Sequence, residues 1–280
     1  MGKFARSWEM IQASAAVLRS DKELLVFPLV SAIATILVTL TFVLPLIATG
    51  SLHQLQPHQP LPAPFYIWMF LFYVVQYTVI FFFNTALVGA AMIRLDGGDP
   101  TLADGLAIAR SRIVSILGYA LIAATVGMIL RALEERAGFI GRIVIAMVGA
   151  AWTVATSMVV PVLVVQNVGP IDAIKESVSL LRRNWGENLI GNGGIGVVFG
   201  LLTFAVALVG GVLTIASAGS MVPMAYLFGA LTVVAILGLS LVQAALAGIY
   251  SAALYRFAST GQAPTGFDDG ALQEAFRIKA

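Results

Sequence analysis

Long apolar runs alternate with short amphipathic segments along this chain. Six runs, roughly residues 24–49, 65–93, 113–130, 143–166, 189–216 and 226–255, carry no charge in their central parts. A helix crossing a bilayer needs about 20 mostly apolar residues, and each run comes close to that or exceeds it. Lipid offers the backbone no hydrogen-bond partners, so the runs are expected to be helices. They lack the strict alternation of barrel strands.

Between the runs the period changes. Phe4, Trp8, Ile11, Ala15 and Leu18 precede the first run at helical steps, and Ile171, Ile174, Val178, Leu181 and Trp185 precede the fifth. Such steps gather apolar side chains into one stripe of a helix. Arg6, Gln12, Arg19 and Lys22 surround the first stripe, and Asp172, Lys175, Arg182 and Arg183 the second. Both segments are too short and polar to span, so each is expected to lie in the membrane interface. Leu102, Leu106, Ala109 and Ile113 repeat the pattern more weakly before the third run, with Arg110 and Arg112 at its end. Prolines at Pro100 and Pro170 suit helix starts, with Asp99 and Gly169 as the expected caps.

The chain also repeats its own wording. "AVLRSDKELLV" (Ala16 to Val26) aligns with "SLLRRNWGENLI" (Ser179 to Ile190) when Arg19 is set on Arg182. "AAMIR", ending at Arg94, aligns with "AALYR", ending at Arg256, at nearly the same offset. These echoes predict an all-α integral membrane protein. Its six transmembrane helices form three hairpins, each preceded by a cytoplasmic interfacial amphipathic helix. The whole chain, 1–280, is one polytopic domain with pseudo-repeats at about 1–98, 99–168 and 169–262 and a cytoplasmic tail at 263–280. Each unit holds two spans, so the copies run parallel, unlike the inverted repeats of many transporters.

Composition agrees with this architecture. Hydrophobic residues make up 59% of the chain and charged residues 11%, where an ordinary soluble domain has roughly 25% charged. A net charge of +2 gives little support to a nucleic-acid partner. The absence of cysteine excludes disulfides, thiol catalysis and Cys-ligated metals. All 16 basic residues except Arg131, Arg136 and Arg142 fall on the side of the termini. The positive-inside rule then places both termini in the cytoplasm. The expected location is the bacterial or archaeal inner membrane. The first run is too long for a signal-peptide core and should remain as an anchor.

Val159 to Gly191, "VVPVLVVQNVGPIDAIKESVSLLRRNWGENLIG", couples a span ending in Pro and aliphatics to Gly-Pro, a basic pair and Asn-Trp. With "SDKELLVFPLVSAI", Ser20 to Ile33, it resembles the membrane domain of bacterial glycerophosphodiester phosphodiesterases and related uncharacterised six-span families. The resemblance implies architecture only. The phosphodiesterase chemistry belongs to a separate soluble barrel absent from this chain, so no catalytic residue is carried over.

Candidate chemistry is sparse. "GNGGIG", Gly191 to Gly196, has dinucleotide-type glycines but lacks a preceding strand. Close helix packing through Gly196 and Gly200 is favoured instead. His53 and His58 lack a third metal ligand nearby. Gln76, Asn84 and Gln243 are candidates to line a pore or cavity, against a simpler role as polar links between helices. Pro161 is the best kink candidate. Arg19, Lys22, Arg110, Arg112, Arg182 and Arg183, with Trp8 and Trp185, are expected to contact lipid headgroups or a partner. No cofactor or metal is expected. Anionic membrane lipids are the expected partners, with a homo-oligomer or another membrane protein as further candidates. The favoured function is a non-catalytic, lipid-interacting scaffold or regulator, and the alternative is a small-solute transporter or channel.

Overall fold

A computed structural model describes residues 3–51, 62–183, 188–219 and 221–261. Among them there is no strand. The helices are α1 (Lys3–Ser20), a 3-10 turn (Lys22–Leu25), α2 (Val26–Ala48), α3 (Ala63–Leu95), α4 (Leu102–Ser111), α5 (Ile113–Arg136), α6 (Phe139–Ala155), α7 (Val159–Val165), α8 (Pro170–Arg183), α9 (Asn188–Ala218) and α10 (Val222–Thr260). Six helical stretches in the described residues are long and apolar enough to cross a membrane, with α6 and α7 together counting as one. The chain is thus a multi-pass membrane protein. Seventeen residues of α6 include none that is buried, as expected of a helix whose solvent is lipid.

The chain forms two compact units. In the first, α1 packs on α9 and α10, which pack closely on each other. Their approach is set at Gly210, where an added Cβ would overlap the side chain of Thr232. Gly196 and Gly200, expected to serve this purpose, have no neighbour within reach of a Cβ. The register of α9 on α10 gives the contact to Gly210 instead. Ala245, Leu246, Ile249, Tyr250 and Leu254 on α10 are almost wholly buried. At 39 residues this helix is about 58 Å long, far more than the roughly 30 Å hydrocarbon core. A left-handed Gly261 (φ +72°) ends it, as glycine readily does. The end of α3 also lies in this unit. Gly98 donates to the Ile93 carbonyl and Gly97, at φ +85°, to that of Arg94, so these glycines satisfy carbonyls the helix leaves open.

In the second unit, α4 docks on α3 through small residues. A Cβ on Gly105 would lie 2.8 Å from the Ala86 carbonyl oxygen and 2.5 Å from Phe27 Cζ, and one on Gly89 would lie 2.9 Å from Ile108. Leu106 and Ile113, placed in the expected apolar stripe, are exposed, while Gly105 and Ala109 are buried. Close backbone approach selects the small face of α4 for the interior. Its cap differs from expectation too. Thr101, not Asp99, caps the helix. Asp104 donates its N–H to Thr101 Oγ1 (3.3 Å), and the Thr101 N–H donates to Asp104 Oδ2 (2.9 Å). This reciprocal pair satisfies two donors that a cap at Asp99 would leave open. Pro170 begins α8 as expected, behind Gly169.

The expected kink at Pro161 is a break just upstream. Helix α6 stops at Ala155 and α7 starts at Val159. Proline has no N–H to give the carbonyl four residues back, at Ser157, and its ring crowds that turn. Pro45 sits inside α2 without interrupting it.

Candidate functional site

The structure places side chains at the amphipathic segments in a repeated register. With Arg19, Arg110 and Arg182 aligned, Ser14, Gly105 and Ser177 occupy one position, and all three are buried. Leu18, Ala109 and Leu181 occupy another, also buried. The three arginines are exposed. Each helix therefore turns a small residue inward and a cation outward, one turn or so before a span begins.

At two of the three positions the small residue meets backbone groups of another helix or its end. Gly105 faces the Ala86 carbonyl of α3. Ser177 Oγ accepts from the Met158 N–H (3.1 Å) and donates to the Ala155 carbonyl (2.7 Å). Ser14 is buried in α1, which packs on α9 and α10, and its Oγ has no hydrogen-bond partner. Thus α4 packs on the span before it, α8 packs on α7 before it, and α1 packs on the last pair.

The candidate headgroup residues divide into groups. Arg19, Lys22, Arg110 and Arg182 are exposed. Arg112 is half-buried and its guanidinium donates to Asn167 Oδ1, beside a 3.0 Å hydrogen bond from Ser115 to the Val168 carbonyl. Arg112 so ties the start of α5 to the link between α7 and α8. Trp185 lies outside the described residues, as do His53 and His58; the side chains of Trp8 and Arg183 lie outside the described part of their helices.

The face of α8 differs from the single stripe expected. Ala173, Ser177, Leu180 and Leu181 are buried, whereas Ile171 is exposed. Ile174 and Val178 instead line a pocket of about 490 Å³ with Lys175, Ser179 and Arg182. Apolar residues on two faces explain why spacing alone did not identify the inward one.

Gln76 is half-buried and its amide oxygen is buried without a hydrogen-bond partner. Asn84, farther along the same helix, is exposed, and Gln243 is half-buried. Beside Gln76 runs an aromatic ladder that the sequence reading missed. Rings contact in the order Trp68, Phe42, Phe72, Tyr73, Tyr77, Phe81 and Tyr119. Tyr73, Tyr77 and Phe81 recur every four residues, which stacks them along α3. Arg131 donates to Tyr73 Oη at 3.1 Å. Near Asp104, hydrogen bonds from the side chain and backbone of Thr101 hold the carboxyl below its usual range.

Among the described residues no cluster of His, Asp and Glu could hold a metal ion. Asn188–Ala218 is one helix, so Gly191 to Gly196 lies within a helix and not in a dinucleotide loop. No curated protein and no solved structure matches the chain. The likeness to phosphodiesterase membrane domains gains no support from these comparisons. Residues 63–267, which include five of the six spans, match a family of unknown function, and the chain belongs to that family, DUF6159.

Proposed function

We propose that this protein is a non-catalytic component of the cell membrane, a scaffold or regulator that acts through anionic lipid. Both termini face the cytoplasm in this reading, and the amphipathic helices lie at the cytoplasmic interface. The supporting observation is the shared exposure of Arg19, Arg110 and Arg182 at equivalent positions, while the small residue five places before each is buried. An exposed cation near an anionic surface contributes about 1 kcal/mol. The likeness to phosphodiesterase membrane domains is, in this reading, one of architecture alone. A triple variant, Arg19→Gln, Arg110→Gln and Arg182→Gln, should retain fewer anionic lipids through purification while staying monodisperse. Unchanged lipid retention would refute the reading.

The orphaned amide oxygen of Gln76 favours a second reading, a transporter or channel for a small polar solute. It predicts solute flux into liposomes that Gln76→Leu abolishes. The absence of flux with the native chain would set it aside.

A further inference from the structure

We infer that the pocket on α8 is a discrete binding site for one glycerophospholipid with an anionic headgroup. This inference rests on the lipid-dependent reading above and sharpens it from diffuse attraction to a defined site. Two chemistries meet in the pocket. Ile174 and Val178 supply an apolar floor, and Lys175, Ser179 and Arg182 supply two cations and a hydroxyl. Among the described residues, no acidic side chain lines it. It is an open depression of about 490 Å³, and its described lining runs along one face of α8. It can take a phosphate-bearing glycerol and the first methylenes of a chain. The hydroxyl and the cations suit phosphate oxygens, which accept charge-assisted hydrogen bonds.

Ile174 and Val178 are left for this task because the other face of α8 does the packing. Ala173, Ser177, Leu180 and Leu181 bury themselves, with Ser177 bonded at the break between α6 and α7. Lys175 pairs with Asp172 at 3.2 Å, both side chains well exposed. Exposed pairs of this kind are weak, so the ammonium group can turn to a phosphate. A zwitterionic headgroup would bring its own cation against Lys175 and Arg182. The site therefore selects an anionic lipid such as phosphatidylglycerol.

Native mass spectrometry of the full chain in detergent, titrated with phosphatidylglycerol, phosphatidylcholine or glycerol phosphate, tests the proposal. One phosphatidylglycerol should bind saturably, with phosphatidylcholine at least about tenfold weaker if each unfavourable charge contact is worth about fivefold. Glycerol phosphate, lacking chains, should not compete at the same concentration. Lys175→Gln with Arg182→Gln should weaken the one-to-one complex about twenty-five-fold, from about fivefold per charge. Val178→Trp, which fills the floor without touching charge, should weaken it as well and leave its salt dependence unchanged. Saturable binding that survives both changes would overturn the site, as would equal binding of phosphatidylcholine or of glycerol phosphate. Arg19→Gln with Arg110→Gln separates the two readings. If total anionic lipid is unchanged but the one-to-one complex persists, the broader reading fails and the pocket stands.

Discussion

Ser177 completes the backbone of a helix it does not belong to. Its hydroxyl accepts from the Met158 N–H and donates to the Ala155 carbonyl, bridging the interruption between α6 and α7. Both backbone groups lie where the break would otherwise leave them unpaired, and Ser177 itself is buried. A buried backbone group without a partner costs roughly 1–3 kcal/mol. Ser177→Ala should therefore lower stability in detergent by an amount of that order. Ser177→Thr, which keeps the hydroxyl but adds a methyl group, should also destabilise. Thermal unfolding followed by circular dichroism measures both, and an alanine variant as stable as the native chain would contradict the bridging role.

Gly210 and Thr232 offer a test of the first unit. A side chain at Gly210 has no room because Thr232 fills the space. Gly210→Ala should destabilise the α9–α10 pair, since overpacking typically costs about 1–3 kcal/mol. Thr232→Ala should restore part of that loss when combined with it, because Thr232 also spends its hydroxyl on the Phe228 carbonyl within its own helix. Additive effects in the double variant would show that the two positions are not in contact.

The positions of the spans were legible because an apolar run of the required length has one stable solution in lipid. Of the aligned arginines, Arg19 and Arg182 were legible as a pair, since they sit in repeated wording, whereas Arg110 closes a weaker stripe outside it. Gly105 was not. Sequence spacing favoured Leu106 and Ile113 for the inward face, yet the approach of α4 to the Ala86 carbonyl admits only a residue without a side chain. Likewise Ser177 looked like an ordinary polar residue on α8. Its role depends on a break beside Pro161, and that pairing is long-range. The aromatic ladder was readable in part from Tyr73, Tyr77 and Phe81, but the contributions of Phe42 and Tyr119 require the packing of other helices.

Asp104 gives α4 a pH dependence of known sign. Its hydrogen bonds with Thr101 lower its pKa below the ordinary 3.8. A carboxyl whose folded pKa is depressed stabilises above its unfolded value and loses that contribution as pH falls through the folded one. The N-terminal turn of α4 should thus be fully capped at neutral pH and begin to loosen below about pH 3.8. Amide-exchange protection of Asp104 and Gly105, corrected for the intrinsic rate, should fall across that window. Asp104→Asn should remove the pH dependence. Protection that rises on acidification would reverse the assignment.

The orientation proposed from the basic residues can be tested by labelling, because the chain has no cysteine of its own. Ser111 and Ser259 are exposed and lie close to Arg110 and Arg112 and to Arg256, whereas Ser51 and Gly219 stand at the opposite ends of their spans. Basic residues resist translocation, so the first pair should remain inside the cell. On whole cells, an impermeant maleimide should label Ser51→Cys and Gly219→Cys and spare Ser111→Cys and Ser259→Cys until the membrane is opened. Ser111 carries particular weight: it closes α4, one residue before Arg112. Labelling there in intact cells would put Arg110 on the outer face, separate it from the anionic inner leaflet, and remove the basis for a shared role with Arg19 and Arg182. Protection of Ser111→Cys together with Ser259→Cys would instead place the repeated arginines where anionic headgroups are densest.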